Sequence, residues 1–193
     1  VFDIKSIVPE GKSGDWKVEK FTVSEEEARF NNARAMFSFS SRGRFIEAGE
    51  YTRLMKENTV VMSDTPAELD DHRWFISHAH GNVLINGLGL GVVVQGLLVN
   101  NHKVERIVVN EISKDVIDLV APNFQYERLT INHADAFTWK PSNGIRFNAV
   151  WHDIWNYICE TNLKDMKRLH KRYGHWLQQP AFQGSWCREE CER

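Results

Sequence analysis

From Asn82 onward the chain changes rhythm, and that change limits what it can fold into more than any other feature. Short β-branched runs recur at Val83 to Asn86, Arg106 to Asn110, Leu129 to Asn132 and Asn148 to Trp151. Between them lie stretches of helical character, Val92 to Asn100, Ser113 to Val120 and Asn162 to Tyr173. Tight turns cannot join parallel strands, so this alternation predicts a mostly parallel sheet with crossover helices on both faces, a Rossmann-like α/β core. About twenty residues follow Tyr173, too few for the further strands and helices of a seven-stranded sheet, so the sheet is expected to be shortened at its C-terminal end. The tail, Gln183 to Cys191, reads as a last short helix capped by Ser185.

The first eighty residues have another character. β-branched and aromatic runs at Trp16 to Val23, Tyr51 to Met55 and Thr59 to Met62 alternate with Gly and Ser breaks, which predicts strands or hairpins. Ser24-Glu25-Glu26-Glu27 is a capping box and starts a helix over Glu25 to Phe37. Thr65-Pro66-Ala67-Glu68 places a hydroxyl at the N-cap, proline where its missing N–H is not needed and Glu at the third position, so a helix runs from Pro66 to about His78. The chain is thus read as a small β-rich extension, residues 1–80, packed on a core of residues 81–193, together one structural unit.

Charge and composition narrow the function classes. The 24 Lys and Arg against 26 Asp and Glu leave a formal charge of -2, which argues against a nucleic-acid or membrane partner drawn in by a global field. The longest apolar run, Val83 to Val99, is broken by Asn86, Gln95 and four glycines, well short of the roughly 20 residues a bilayer span needs. With no secretory pattern at Val1 to Glu10, a cytoplasmic location is expected. Cys159, Cys187 and Cys191 form no paired framework and are read as reduced thiols. Cys187 and Cys191 lack further ligands at zinc-site spacing, so no metal is expected. An exposed parallel edge invites pairing, and either the N-terminal strands or a second copy in a homodimer is expected to cover it.

The chemistry is concentrated at the ends of the predicted strands. Val83 to Asn86 runs into Gly87-x-Gly89-x-Gly91, a turn that lets backbone approach a ligand and aims amide N–H groups at it. Val92 stands where the dinucleotide fingerprint G-x-G-x-x-G has its last glycine, which moves the loop away from a nicotinamide cofactor. The next strand ends on Glu111, about twenty residues after the loop, where a carboxylate can accept both ribose hydroxyls. After the fourth strand comes Trp151-His152-Asp153-Ile154-Trp155-Asn156-Tyr157. By strand alternation Trp151 and Asp153 share one side and His152 packs on the other. A carboxylate partly desolvated by Trp151 and Trp155 has a raised proton affinity, which suits a general base.

Four segments together, V-L-I-N-G-L-G-L-G (Val83 to Gly91), I-V-V-N-E-I-S-K-D-V-I-D-L-V (Ile107 to Val120), H-A-D-A-F (His133 to Phe137) and F-N-A-V-W-H-D-I-W (Phe147 to Trp155), resemble the class I S-adenosylmethionine-dependent methyltransferases, and within them the spermidine-synthase-like group. The resemblance spans roughly Asn82 to Trp155. It implies that S-adenosylmethionine binds over Gly87, Gly89 and Gly91, with Glu111 on the ribose, Ile112 against the adenine and Asp135, beside Ala136, on the adenine amino group. The acid that family members carry before the glycines is replaced by Asn86, which can still bond an amine or carboxylate. Asp153 falls where spermidine-synthase-like proteins place the acid that deprotonates the attacking amine. Trp155 and Tyr157, with Asp64 and Glu68 from the N-terminal extension, are the acceptor-side candidates. Asn156 and Tyr157 replace the second Asp of spermidine synthases, and Ile154 and Trp155 replace the prolines of amino-directed DNA methyltransferases.

The function expected from the resemblance is methyl transfer to a small or medium-sized acceptor. The alternatives are aminopropyl transfer from decarboxylated S-adenosylmethionine, degradation of the donor without an acceptor, and a non-catalytic nucleoside-binding module.

Overall fold

The computed structural model describes residues 4–37 and 44–192. The N-terminal third forms an antiparallel sheet in the order β1 (Gly11–Ser13), β2 (Trp16–Val23), β3 (Gly49–Lys56) and β4 (Thr59–Ser63). Helix α1 (Glu25–Phe37) starts where the capping box places it. The Glu27 N–H donates to Ser24 Oγ at 3.2 Å and the Ser24 N–H donates to the Glu27 carboxylate at 2.8 Å, so two orphan amides are satisfied reciprocally.

Helix α2 (Pro66–His78) also has the expected bounds, but its start is built differently. Thr65 makes no side-chain cap. Glu68 instead reaches back one turn further, its carboxylate accepting from the Ser63 N–H at 2.7 Å and the Ser63 hydroxyl at 3.1 Å. An acid closes the β4–α2 turn.

The second sheet is parallel, with order β7 (Leu129–His133), β6 (Val104–Glu111), β5 (Gly81–Asn86), β8 (Phe147–His152), β9 (Leu177–Ser185). Alternate residues of its central strands face opposite layers. Val83, Ile85, Ile107, Val109, Ala149 and Trp151 pack with α2, α3 (Val92–Asn100) and α4 (Lys114–Val120). Leu84, Val108 and Val150 pack with Leu169 and Tyr173 of α5 (Asn162–Tyr173). Val18, Leu54 and Met62 of the antiparallel sheet belong to the first of these clusters, so the two sheets share one core. No helix among the described residues is long and apolar enough to cross a membrane.

One strand was not legible. β9 extends the sheet beyond β8, and Ser185, expected as a helix cap, ends that strand with its hydroxyl hydrogen-bonded to His170 Nε2 at 2.9 Å. The short helix α6 (Arg188–Cys191) follows, with Cys187 in the left-handed region at its start. Pro180 cannot donate to a ladder, and the pairing steps around it, from Phe147 opposite Leu177 to Ala149 opposite Phe182. Asn148 spans the step by donating to the Gln178 carbonyl at 3.0 Å. The outer edge of the sheet therefore lies one strand further out than the sequence indicates.

Asp64 is buried at the junction of the extension. One of its oxygens accepts from the Ser6 N–H at 2.8 Å and the other from the Thr52 N–H at 2.6 Å, so it fastens the N-terminal segment to β3. Asp64→Ala leaves both amides without their acceptor and is expected to destabilise the fold by about 3 kcal/mol. Urea unfolding checks this; an unchanged midpoint would mean that water replaces the carboxylate.

Candidate functional site

Strand order reverses at β5, with β6 and β7 on one side and β8 and β9 on the other. In open α/β sheets ligands bind outside the carboxyl ends of the strands at such a point. A cavity of about 340 Å³ opens there, within the range of small-molecule sites. It is lined by strand ends of the core, by β3, β4 and α2 of the extension, and by Trp186 after β9.

The turn from β5 to α3 forms its floor. Gly87 has φ +101°, and a Cβ there would lie 1.8 Å from the Asp153 carbonyl oxygen. Gly89 has φ +51°, and a Cβ there would lie 2.4 Å from Met62 Sδ. Both positions require glycine. Gly91 does not line the cavity; it packs against the Phe124 ring behind α4. Asn86 is likewise no part of the lining. Its side chain is fully buried and bonded to His152 Nδ1 at 2.9 Å, to the Asn110 amide at 2.9 Å and to the Tyr173 hydroxyl at 3.3 Å. Its capacity is spent inside the sheet.

Along one wall, Glu111 at the end of β6 accepts from the Leu88 N–H and the Ser113 N–H, each at 2.8 Å. Each oxygen keeps a lone pair for a further donor. Ile112 beside it is 68% exposed, an uncovered apolar surface facing a polar neighbour. Asp135, after β7, accepts from the Phe137 N–H through Oδ1 at 2.7 Å, and its second oxygen is free among the described residues. Ala136 and Phe137 complete this half. A diol, an apolar ring plane and an exocyclic amine would find partners here in sequence, so the residues fit an adenosine.

The opposite half belongs largely to α2. Glu68 and His72, four apart on one helix face, both line the cavity, and His72 Nε2 lies 3.7 Å from Asp153 Oδ2. Behind them Asp71 is gripped by Arg44 at 2.8 and 2.9 Å and accepts from Trp186 Nε1 at 3.0 Å. Burial, with the charges of Glu68, Asp71 and Glu111 adding to it, pushes the Asp153 carboxyl up to about 8. Desolvation, expected from the sequence, is the larger cause, and the neighbouring carboxylates add a charge effect that the sequence did not indicate. Burial and then Arg44 lower His72 to about 4, and burial raises Glu68. At neutral pH the site thus holds a neutral imidazole facing a carboxyl that retains its proton.

The remaining candidates separate cleanly. Trp155 lines the cavity; Tyr157 does not and is 67% exposed. Asp64 is the structural fastening described above. His152 is fully buried on the α5 side, its Nδ1 accepting from Asn86, which fixes the proton on Nε2. Four residues escaped the sequence reading: His72, Asp71, Met62 and Trp186. The Glu68-x-x-Asp71-His72 spacing was a usable signal for the first two, because it puts all three within one turn of a single helix. Nothing local marks Met62 or Trp186, which reach the cavity through tertiary packing.

No protein-family profile and no curated protein matches the chain. Among solved structures, spermidine synthase from Thermotoga maritima superposes with a TM-score of 0.54 at 13% identity, over 92% of this chain and 55% of that one. The chain shares the Rossmann-like α/β fold of that structure. The CcbJ methyltransferase from Streptomyces caelestis is similar over 62% of this chain and 49% of its own, at 15% identity and a TM-score of 0.47. The N-methyltransferase NodS from Bradyrhizobium japonicum covers 56% and 59%, at 12% and 0.43. The chain spans about half the length of these structures.

A carboxyl held protonated in the fold and ionised in the unfolded chain works against stability. Between the ordinary value of 3.8 and about 8 only the unfolded state releases this proton, so the stability fully present below the lower value is lost progressively as pH rises to the upper one. Asp153→Asn is expected to melt close to the wild type near pH 4 and clearly above it at pH 8. Thermal unfolding across that range checks the sign; a variant less stable at pH 8 contradicts a protonated Asp153.

Proposed function

We propose that the chain is a transferase that draws its group from S-adenosylmethionine, with methyl transfer to a small or medium-sized acceptor as the reaction. The observation that carries this reading is the division of the cavity. Acceptors and an apolar surface suited to adenosine (Glu111, Ile112, Asp135) lie on one side, and a half-buried carboxyl (Asp153) facing His72 lies across the glycine turn from them. When bound, the donor supplies a methyl group already activated on a sulfonium, so the chain's own contribution is largely positioning. Glu111 holds the ribose, Ile112 covers one face of the base and Asp135 accepts from its amino group. The wall formed by Leu54, Met62, Ile154 and Trp155 keeps water from the centre.

Asp153 handles the proton. By itself it is a neutral acid, and a cationic ligand beside it favours the carboxylate, which can then accept a proton from an acceptor amine or hydroxyl. Glu68 is fixed by Ser63 and adds negative potential. His72 stays neutral and so does not cancel it.

One observation favours aminopropyl transfer as a second reading. Among the described residues Lys56 is the sole lysine or arginine lining the cavity, against Glu68, Glu111, Asp135 and Asp153. That balance suits a donor without a carboxylate and a protonated amine as acceptor.

Mass spectrometry of small amines and hydroxylated compounds incubated with the protein and either S-adenosylmethionine or its decarboxylated form separates the readings, with each donor alone as the control for degradation. The expected result is a methyl increment on an acceptor, abolished by Asp153→Asn while S-adenosylhomocysteine affinity stays within about threefold, because that residue touches the proton and not the nucleoside. Glu111→Gln should weaken the same affinity about tenfold or more, as expected for removing an ionised hydrogen-bond acceptor. Calorimetry showing unchanged binding in Glu111→Gln removes the donor-site assignment.

A further inference from the structure

The glycine turn invites the expectation that its amides cradle the anionic tail of the donor. Four of the five are already taken. The Gly87 N–H donates to the Asn110 carbonyl at 2.8 Å, the Leu88 N–H to Glu111 at 2.8 Å and the Gly91 N–H to the Leu88 carbonyl at 2.8 Å. The Leu90 N–H donates to Met62 Sδ at 3.2 Å. Of the five turn residues only Gly89 has an amide without a protein acceptor among the described residues. It lies beneath Met62, whose sulfur occupies the place a Cβ of residue 89 would take.

Met62 comes from the end of β4, is buried, and lines the cavity. A thioether is a weak acceptor and carries no charge, so it satisfies the Leu90 amide without adding to the negative potential of the site. It also fills the space that a carboxylate would need to reach the turn. We infer that Met62 is a specificity-determining residue: by capping the Leu90 amide and covering Gly89 it makes the site read its donor through the nucleoside and the sulfur, and not through the amino-acid carboxylate. This rests on the donor-site reading above and adds to it the part of the donor that goes unrecognised.

The consequence is a relaxed or inverted preference at the donor's tail. With the turn closed, a carboxylate entering this half meets the acid Glu68 with no amide cradle in return. Removing Met62 frees one amide at the start of α3, uncovers another, and opens room over both.

The test measures calorimetric affinity for S-adenosylhomocysteine and for its decarboxylated analogue, two ligands that differ only in the carboxylate. The wild type is expected to bind the decarboxylated analogue at least as tightly as S-adenosylhomocysteine. Met62→Ala should shift the ratio toward S-adenosylhomocysteine by about tenfold, the worth of one charge-assisted hydrogen bond. Met62→Leu keeps the volume and the fold while removing the acceptor, and should shift the ratio about threefold in the same direction. A wild-type preference of tenfold or more for S-adenosylhomocysteine, such as Lys56 reaching the carboxylate would produce, overturns the inference. So does a ratio unmoved by Met62→Leu. Binding of neither ligand to the wild type overturns the donor-site reading and this inference together, whereas binding of both with a fixed ratio overturns this inference alone.

Discussion

The turn between β5 and α3 is the constraint on which the rest of the structure depends. At Gly87 the backbone passes so close to the Asp153 carbonyl that no side chain fits, and at Gly89 the same is true of Met62. The first contact ties the central strand to the segment after β8; the Asp153 N–H donating to the Asn86 carbonyl at 2.8 Å completes it. The second seats the antiparallel sheet on the parallel one. Because β5 is the middle strand, a shift in this turn would move the carboxyl on one flank and the extension on the other. The cavity exists because two elements approach the turn closely without filling the space beside it.

Electrostatics works against the fold at the same place. Glu68, Asp71, Glu111 and Asp153 gather where burial raises the cost of every negative charge, and Arg44 is committed to Asp71. The proton retained by Asp153 relieves part of this repulsion. A molecule built only for stability would not assemble four acids around a cavity, and local conflict of this kind is the usual mark of a working site. His72 shows the same conflict: it is fully buried and its Nδ1 has no hydrogen-bond partner among the described residues.

Sequence reasoning read the parallel core well because its signals are local. The four β-branched runs and the helices between them carry their own periodicity, and the starts of α1 and α2 follow from a capping box and a proline within the chain itself. β9 carried no such signal. Leu177 to Ser185 contains three glutamines, a proline and a glycine, and it becomes a strand because β8 offers an edge and Asn148 bridges the step at Pro180. The same distinction runs through the site. Glu111, Ile112 and Asp135 stand at strand ends fixed by the core pattern, so their neighbourhood could be read from spacing. Asn86 and Gly91 have the right spacing but face away, because a one-residue change in a strand or turn reverses the side that is presented.

The half of the cavity that was not read lies on the extension and the tail. Glu68 and His72 come from α2, Met62 from β4 and Trp186 from beyond β9, three segments whose own sequences report capping, β-branching and little else. These segments converge only because the two sheets share one apolar cluster and Asp71 draws Arg44 and Trp186 together. A parallel core of this kind fixes where a nucleoside can lie, and the segments laid over it fix what is brought to that nucleoside. Changes in the core should therefore disturb whether a donor binds, whereas changes in α2, β4 and the tail should alter which donor and which acceptor are used. Under the proposed function, the choice of reaction falls to residues whose contact with the site is entirely tertiary.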